Sequence, residues 1–384
     1  MLEKYLDKIY NCTRCGFCRV WGWSGIETVC PIYKHTPGWE THFARGRVKL
    51  AKMIGEGNVE ITQEMVDHTL LCTLCGNCET ACPIKLPLHD IFHAMRSDLM
   101  EKGFKKPDHY RIAESIEKNN HPFGERKRRK YKNEAPADGQ LKVLYYPGCN
   151  ANYNAPKIIK HTTEVLKKLG IAFQVVEEDT CCGYPLYDSG QTAEMKQAAL
   201  RNIEVLKQYE PDLIVTACPG CLNAMKNVYP NMLGIEQPFK FQDISEFLLP
   251  LIEGKLSPSS GVITWHDPCV LGRRLGIYEQ PRDILKSIPG TTFKELRRHH
   301  EKSQCCGAPL ATFEEMNPIS AKVGMDRITE AKDVGANELI TSCPACYNNL
   351  RRAADFTQQG VTVKFLTEKI NEVLGNEQSL EKTS

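Results

Sequence analysis

A chain of 384 residues exceeds the roughly 250–300 at which one core stops growing, so several domains are expected. Hydrophobic residues at 41% and charged residues at 25% exclude a disordered polymer, and 49 basic against 47 acidic side chains leave +2, no general case for nucleic acid or an anionic membrane. The outlier is 18 cysteines. The opening MLEKYLDKIYNC carries early charges and no apolar run, so no secretory signal explains them as disulfides, and a cytoplasmic setting is expected.

In chain order, Cys12, Cys15 and Cys18 form CxxCxxC, followed by Cys30-Pro31; Cys72, Cys75 and Cys78 repeat it, followed by Cys82-Pro83. Such a turn puts three thiolates around one cluster corner, and in two-cluster ferredoxins the remote Cys-Pro serves the other cluster. Cys12, Cys15, Cys18 and Cys82 are therefore expected to hold one cubane 4Fe-4S cluster, and Cys72, Cys75, Cys78 and Cys30 its neighbour. Zinc also takes four thiolates, but its sites usually use two spaced pairs. The 41 intervening residues read as helices: THFARGRVKLAKMIGEG, then ITQEMVDHTLLCTLC with Thr62 as its cap. Residues 1–105 are expected to form a mainly helical, ferredoxin-type domain.

Residues 106–140 read as a polar linker whose run ERKRRKYK is a solvated face rather than a nucleic-acid site. Beyond it ten cysteines repeat once. Cys149, Cys181, Cys182, Cys218 and Cys221 recur as Cys269, Cys305, Cys306, Cys343 and Cys346, at offsets of 120, 124, 124, 125 and 125. KVLYYPGC, FQVVEEDTCCG and DLIVTACPGC set each cysteine group after a β-rich run, with KIIKHTTEVLKKLG and AEMKQAALRNIEVLKQY as helices between them. GVITWHDPC, TFKELRRHHEKSQCCG, NELITSCPAC and the helix PISAKVGMDRITEAKDVG repeat this order. Two tandem α/β domains, 141–255 and 256–375, and a frayed tail 376–384 follow, giving an α+β multidomain chain whose sites lie at strand carboxyl ends. Gly183 and Gly307 are expected to permit close backbone approach. ISEFLLPLIEG is too short to span a bilayer and holds a proline, so any membrane contact is made through a partner.

The doubled pattern resembles the cysteine-rich CCG domain. Two such domains behind a two-cluster helical ferredoxin resemble the family of heterodisulfide reductase D subunits, and are similar to the iron-sulfur subunits of anaerobic glycerol-3-phosphate dehydrogenase and glycolate oxidase. YYPGCNANYNAP, CCGYPLYDSG and WHDPCVLGRRLGIYEQPRDIL carry the likeness, which covers about residues 8–350. Val270 after Cys269 and Ala308-Pro309-Leu310 after Gly307 depart from the family text. The resemblance implies a noncubane 4Fe-4S cluster on each five-cysteine set, which would make those ten cysteines the catalytic ligands; zinc replacing one cluster is the alternative.

Two functions fit: an electron-transfer subunit of a multisubunit anaerobic oxidoreductase, or a heterodisulfide-type reductase cleaving a disulfide at the noncubane clusters. No GxGxxG opens a βαβ unit, so a flavoprotein or other redox subunit, with a membrane cytochrome as a further partner, must supply hydride chemistry. His266 and Asp267 are candidates for proton relay or structure, and Arg273 and Arg274 for anion binding or surface pairing. Trp21, Trp23 and Trp39 are expected to shield a cluster, and His42, Arg45 and Arg47 to be exposed helix residues.

Overall fold

The computed structural model describes residues 1–20, 28–126 and 141–375. In the N-terminal module, helices Ala44–Gly55, Gln63–Leu70 and Leu88–Glu101 bury Val48, Ala51, Ile54, Val66, Leu70, Ile91, Phe92 and Met95 together. Thr62 caps the second of these, its hydroxyl accepting from Met65 N at 3.4 Å. Trp21, Trp23, most of the basic run and the tail 376–384 lie outside the described residues.

The connector is not featureless. Pro107–Asn119 is a helix with proline at its first position, and it buries Ile112 and Ile116 against the core around Cys149 and Cys181.

Two four-stranded, wholly parallel sheets follow: β1 (Val143–Tyr146), β2 (Phe173–Val175), β3 (Leu213–Thr216) and β4 (Phe241–Asp243), then β5 (Val262–Trp265), β6 (Thr292–Phe293), β7 (Glu338–Thr341) and β8 (Thr362–Phe365). Their orders match, β2-β1-β3-β4 and β6-β5-β7-β8. Register matches as well: Val143 faces Phe173 and Leu213, while Ile263 faces Phe293 and Glu338. The length change between the copies therefore falls largely after β6, in the loop 294–304 before Cys305, which replaces the shorter 174–180. The edge strands β4 and β8 were not expected from sequence; both are three- or four-residue strands.

The two sheet units share one apolar core, in which helix Pro156–Lys168 packs on helix Leu366–Val373, with Ile158, Ile159 and Val165 against Leu366 and Ile370. A Thr162 to Thr367 hydroxyl bond of 2.9 Å sits in that seam. Helix Leu88–Glu101 is one of the elements that fasten the N-terminal module to the sheet units. Arg96, fully buried, donates to the carbonyls of Thr69, Leu70 and Cys72 on its own side and of Asp188 on the other. Gly190 meets the same helix so closely that a Cβ would lie 2.7 Å from Arg96, and its φ of +86° independently requires glycine.

Candidate functional site

The two CxxCxxC turns have one backbone. Arg14 and Gly16 take φ of 58° and 83°, and Leu74 and Gly76 take 52° and 76°, left-handed pairs that curl three thiols to one side. Cys12, Cys15, Cys18 and Cys82 line one small cavity. Burial, then the nearby Cys12 and Cys15 sulfurs, push the Cys18 thiol up to about 12. Cys30 keeps company with the other turn: burial raises its thiol and the Cys72 and Cys75 sulfurs add to this, while Arg47 opposes it. Burial likewise raises Cys78, with Cys72, Cys75 and Cys30 adding. Asn77, buried between Cys75 and Cys78, explains the juxtaposition locally, since its amide donates to Val29 O, next to Cys30, at 2.9 Å.

The expectation of exposed His42 and Arg47 is corrected. His42 and Arg47 are 3% and 1% exposed. Arg47 Nε donates to His68 O at 3.3 Å, which sets its charge beneath Cys30, and the His42 carbonyl accepts from the Cys30 thiol at 3.5 Å. Burial holds the His42 imidazole down at about 4 and so neutral. Arg45 is half-buried and paired with Glu40. Trp39 is 57% exposed and stacks on His42.

Each five-thiol set gathers at the carboxyl ends of its sheet. In the first, Cys182 approaches Cys221 at 3.4 Å, Cys149 bonds Cys181, and Gly183 N donates to Cys181 Sγ at 3.4 Å. In the second, Cys306 approaches Cys346 at 3.1 Å, Cys269 bonds Cys305, and Gly307 N donates to Cys305 Sγ at 3.3 Å. In these crowded sets each bond splits its pair: the bond to a neighbouring cysteine, then burial, holds Cys149, Cys221 and Cys346 well above the usual thiol range, while bonds from Cys149 and Cys182, and from Cys305 and Cys346, hold Cys181 and Cys306 well below it. A polynuclear cation that accepts thiolates relieves this crowding, so both donor sets fit an iron-sulfur cluster chemically. Gly307 does approach backbone closely, an added Cβ meeting Ser320 O at 2.6 Å, whereas at Gly183 the nearest atom is the Met195 side-chain Cγ at 3.0 Å, on helix Thr192–Lys207.

The copies differ in lining. By strand register Tyr146 and His266 occupy one place, and by cysteine spacing Asn202 and Arg327 another. Tyr146 donates to Asn202 at 3.0 Å; His266 Nδ1 accepts from Arg327 Nε at 3.3 Å. That bond leaves Nε2 carrying the proton. A His266 ring nitrogen and the Cys306 and Cys346 sulfurs lie within 4.8 Å of one another. Asp267 is structural, its carboxylate gripping Arg282 through two 2.7 Å bonds and accepting from His300 N at 2.8 Å.

The sets connect in series. Cys75 is lowered to about 5, first by a side-chain hydrogen bond with Cys305 and also by Arg273. Arg273 is not surface pairing: it donates to Cys75 O at 3.0 Å, to Glu301 O at 2.9 Å and to Ser303 O, bolting the enlarged loop 294–304 onto the second CxxCxxC turn. Arg274 lies over Gly76 and 3.7 Å from Glu79. Farther on, Cys218 lies close enough to Cys343 to raise its thiol, a lesser influence there than its bond with Cys346 and its burial. The two sheet units face each other head to head: the helix opening at Pro219 packs on residues 270–274, and the helix opening at Pro344 on Gly148–Asn154, where Asn348 donates to Asn150 at 2.9 Å.

This pseudo-twofold seam has a cavity at each end. One, of about 320 Å³, is lined by Tyr187, His89 and Arg274 among others. At the other, Ala311 stands where the repeat puts Tyr187, and Ala308 where it puts Tyr184; a cleft of about 690 Å³ opens there, lined by Asn150, Ala345, Arg111, Arg126, Arg351 and Arg352. The departure from family text at Ala308 thus opens space at this end of the seam, beside Asn150 and Ala345, although no cysteine lines the cleft.

Two four-thiol sets on a helical module, joined to two five-thiol sets on paired parallel sheets, define the class of iron-sulfur oxidoreductase subunits. A 4Fe-4S dicluster domain model matches residues 8–86, and the cysteine-rich CCG domain matches 143–226 and 263–351. The chain is 30% identical over 399 residues, 96% of itself and 95% of the relative, to the D subunit of dihydromethanophenazine:CoB--CoM heterodisulfide reductase from Methanosarcina barkeri. It is 27% identical to the B subunit of fumarate reductase (CoM/CoB) from Methanothermobacter marburgensis, covering 91% of this chain and 69% of that one. A hypothetical protein from Helicobacter pylori shares the fold at a TM-score of 0.58 and 12% identity, over 87% of this chain and 68% of that one. The chain belongs to the family of heterodisulfide reductase D subunits and is the iron-sulfur subunit of an oxidoreductase. No helix among the described residues is long and apolar enough to cross a membrane.

Proposed function

We propose that this chain carries electrons, within a multisubunit anaerobic oxidoreductase, through two cubane 4Fe-4S clusters to or from two noncubane 4Fe-4S clusters. Cys12, Cys15, Cys18 and Cys82 hold the first cubane and Cys72, Cys75, Cys78 and Cys30 the second; Cys149, Cys181, Cys182, Cys218 and Cys221, and Cys269, Cys305, Cys306, Cys343 and Cys346, hold the noncubanes. When bound, such clusters store and pass single electrons. The observation that carries the reading is the Cys75–Cys305 contact, which joins the two kinds of thiol set, with Arg273 clamping the junction. Rapid-freeze EPR tests it on the anaerobically loaded protein mixed with a small one-electron reductant. Signals of both five-thiol sets are expected to follow those of the four-thiol sets, and Arg273→Ala to slow this at unchanged iron content. Five-thiol sets that never respond to reductant contradict the reading.

The arginine-lined cleft favours a second reading, cleavage of an anionic disulfide between the five-thiol sets, two electrons and two protons yielding two thiols. Thiols such as coenzyme M, coenzyme B and persulfide carriers, added to the oxidised protein, should then alter the spectra of those sets alone, and Cys306→Ala should abolish the response. No response to any thiol, with electron transfer intact, leaves the carrier reading standing alone.

A further inference from the structure

We propose that the face around Cys15 is the docking surface for a protein redox partner whose own redox centre is ringed by carboxylates. The inference rests on the electron-transfer reading and adds where the partner sits and what chemistry it presents. Among the described residues Cys15 is the one exposed cysteine; every other is buried or half-buried. It belongs to the thiol set at one end of the series, the end farthest along the chain of contacts from the five-thiol sets.

What surrounds it has the anatomy of a transient interface, an apolar centre inside a charged rim. Tyr10, Phe17 and Ile84 are 56%, 36% and 42% exposed, although each could have been buried at a gain. Beside them a shallow cavity of about 420 Å³ is rimmed by Arg14, Arg45, Lys49 and Lys52. The rim's acids are already engaged: Glu40 accepts both forks of Arg45, and Glu56 accepts from Tyr10 and pairs with Lys52 at 3.7 Å. Arg14 and Lys49 have no carboxylate partner among the described residues. Lys52 also lies over the Tyr10 ring at 4.2 Å, which holds a cation at the centre of the patch. The whole chain carries only +2, so the positive charge at this face is a local feature that attracts an acidic partner.

The test uses the full chain, anaerobically loaded, and a flavodoxin as an acidic probe, with binding measured by calorimetry. Affinity is expected to fall at least about tenfold between roughly 0.02 and 0.3 M salt. The double variant Lys49→Glu with Lys52→Glu should weaken binding at low salt by about tenfold or more, whereas Lys196→Glu, on the distant Thr192–Lys207 helix, should not. Iron content and reduction by methyl viologen serve as controls that are expected to stay unchanged in every variant. Salt-independent binding, full affinity in the double variant, or a preference for a lysine-ringed cytochrome c would each overturn the docking face. Loss of viologen reduction in the wild type would instead sink the electron-transfer reading, so the two failures are told apart.

Discussion

Asp267→Ala is expected to cost the fold about 3–5 kcal/mol, the loss seen when one member of a buried ion pair is removed and its partner stays behind. Arg282 is fully buried and holds Asp267 through two 2.7 Å bonds, with Glu295 as its remaining acid at 2.8 Å. The same carboxylate receives Trp265 Nε1 and His300 N, and the Asp267 carbonyl receives Ser303. The substitution therefore frees the loop that Arg273 clamps to Cys75, so stability and the junction between thiol sets should fail together. Denaturant titration under anaerobic conditions reads the effect; a loss below about 1 kcal/mol would contradict the structural role given to the pair. Asp267→Leu with Arg282→Met should recover much of it, because no charge is left stranded. Burial alone would raise the Asp267 carboxyl, but Arg282 and the His300 amide outweigh it and hold the group below the usual carboxylate range. The stabilisation is then complete above the unfolded value near about 3.9 and is lost as pH falls through the lower folded value, so wild type and Asp267→Ala converge only in acid.

Cys30→Ser is expected to remove or convert the cluster of Cys72, Cys75 and Cys78 while leaving that of Cys12, Cys15 and Cys18 intact. The supporting geometry is the Asn77 bond to Val29 and the influence of Cys72 and Cys75 on the Cys30 thiol. Because Cys75 also touches Cys305, the lesion should cut the series in its middle: the first cubane stays reducible and the five-thiol sets stop following it. EPR of the reduced variant separates the outcomes. A signal lost from the Cys12 set, with the Cys72 set unchanged, would show that ligation is sequential and not crossed.

Cysteine spacing is a local feature, which is why the grouping of the 18 cysteines, the ferredoxin-like turns, the repeat and six of the eight strands could be read from the chain. The edge strand β8 carried a readable signal, Val363 and Phe365 alternating with Thr362 and Lys364, whereas the three residues of β4 did not. Long-range facts had no such signature. His42 and Arg47 look like solvent-facing residues on a basic helix, yet burial is decided by Cys30 returning from elsewhere in the chain. Arg273 resembles any surface arginine until the enlarged loop folds back and offers it two carbonyls beside that of Cys75. The head-to-head seam, and the exchange of Tyr187 for Ala311 that leaves the larger cavity at one of its ends, follow from the packing of the two repeats and from neither repeat alone.

Anaerobic determination of iron, sulfide and zinc in the purified full-length chain tests the four-cluster account most directly. Eight cysteines on two cubanes and ten on two noncubanes predict about 16 iron atoms per chain and no zinc. His266 lies beside Cys306 and Cys346, but its Nδ1 already accepts from Arg327 and its Nε2 carries the proton, so zinc in the second five-thiol set would be held by thiolates alone. A result of about 12 iron with one zinc would replace one noncubane cluster with a zinc ion, and about 8 iron would contradict clusters on either five-thiol set.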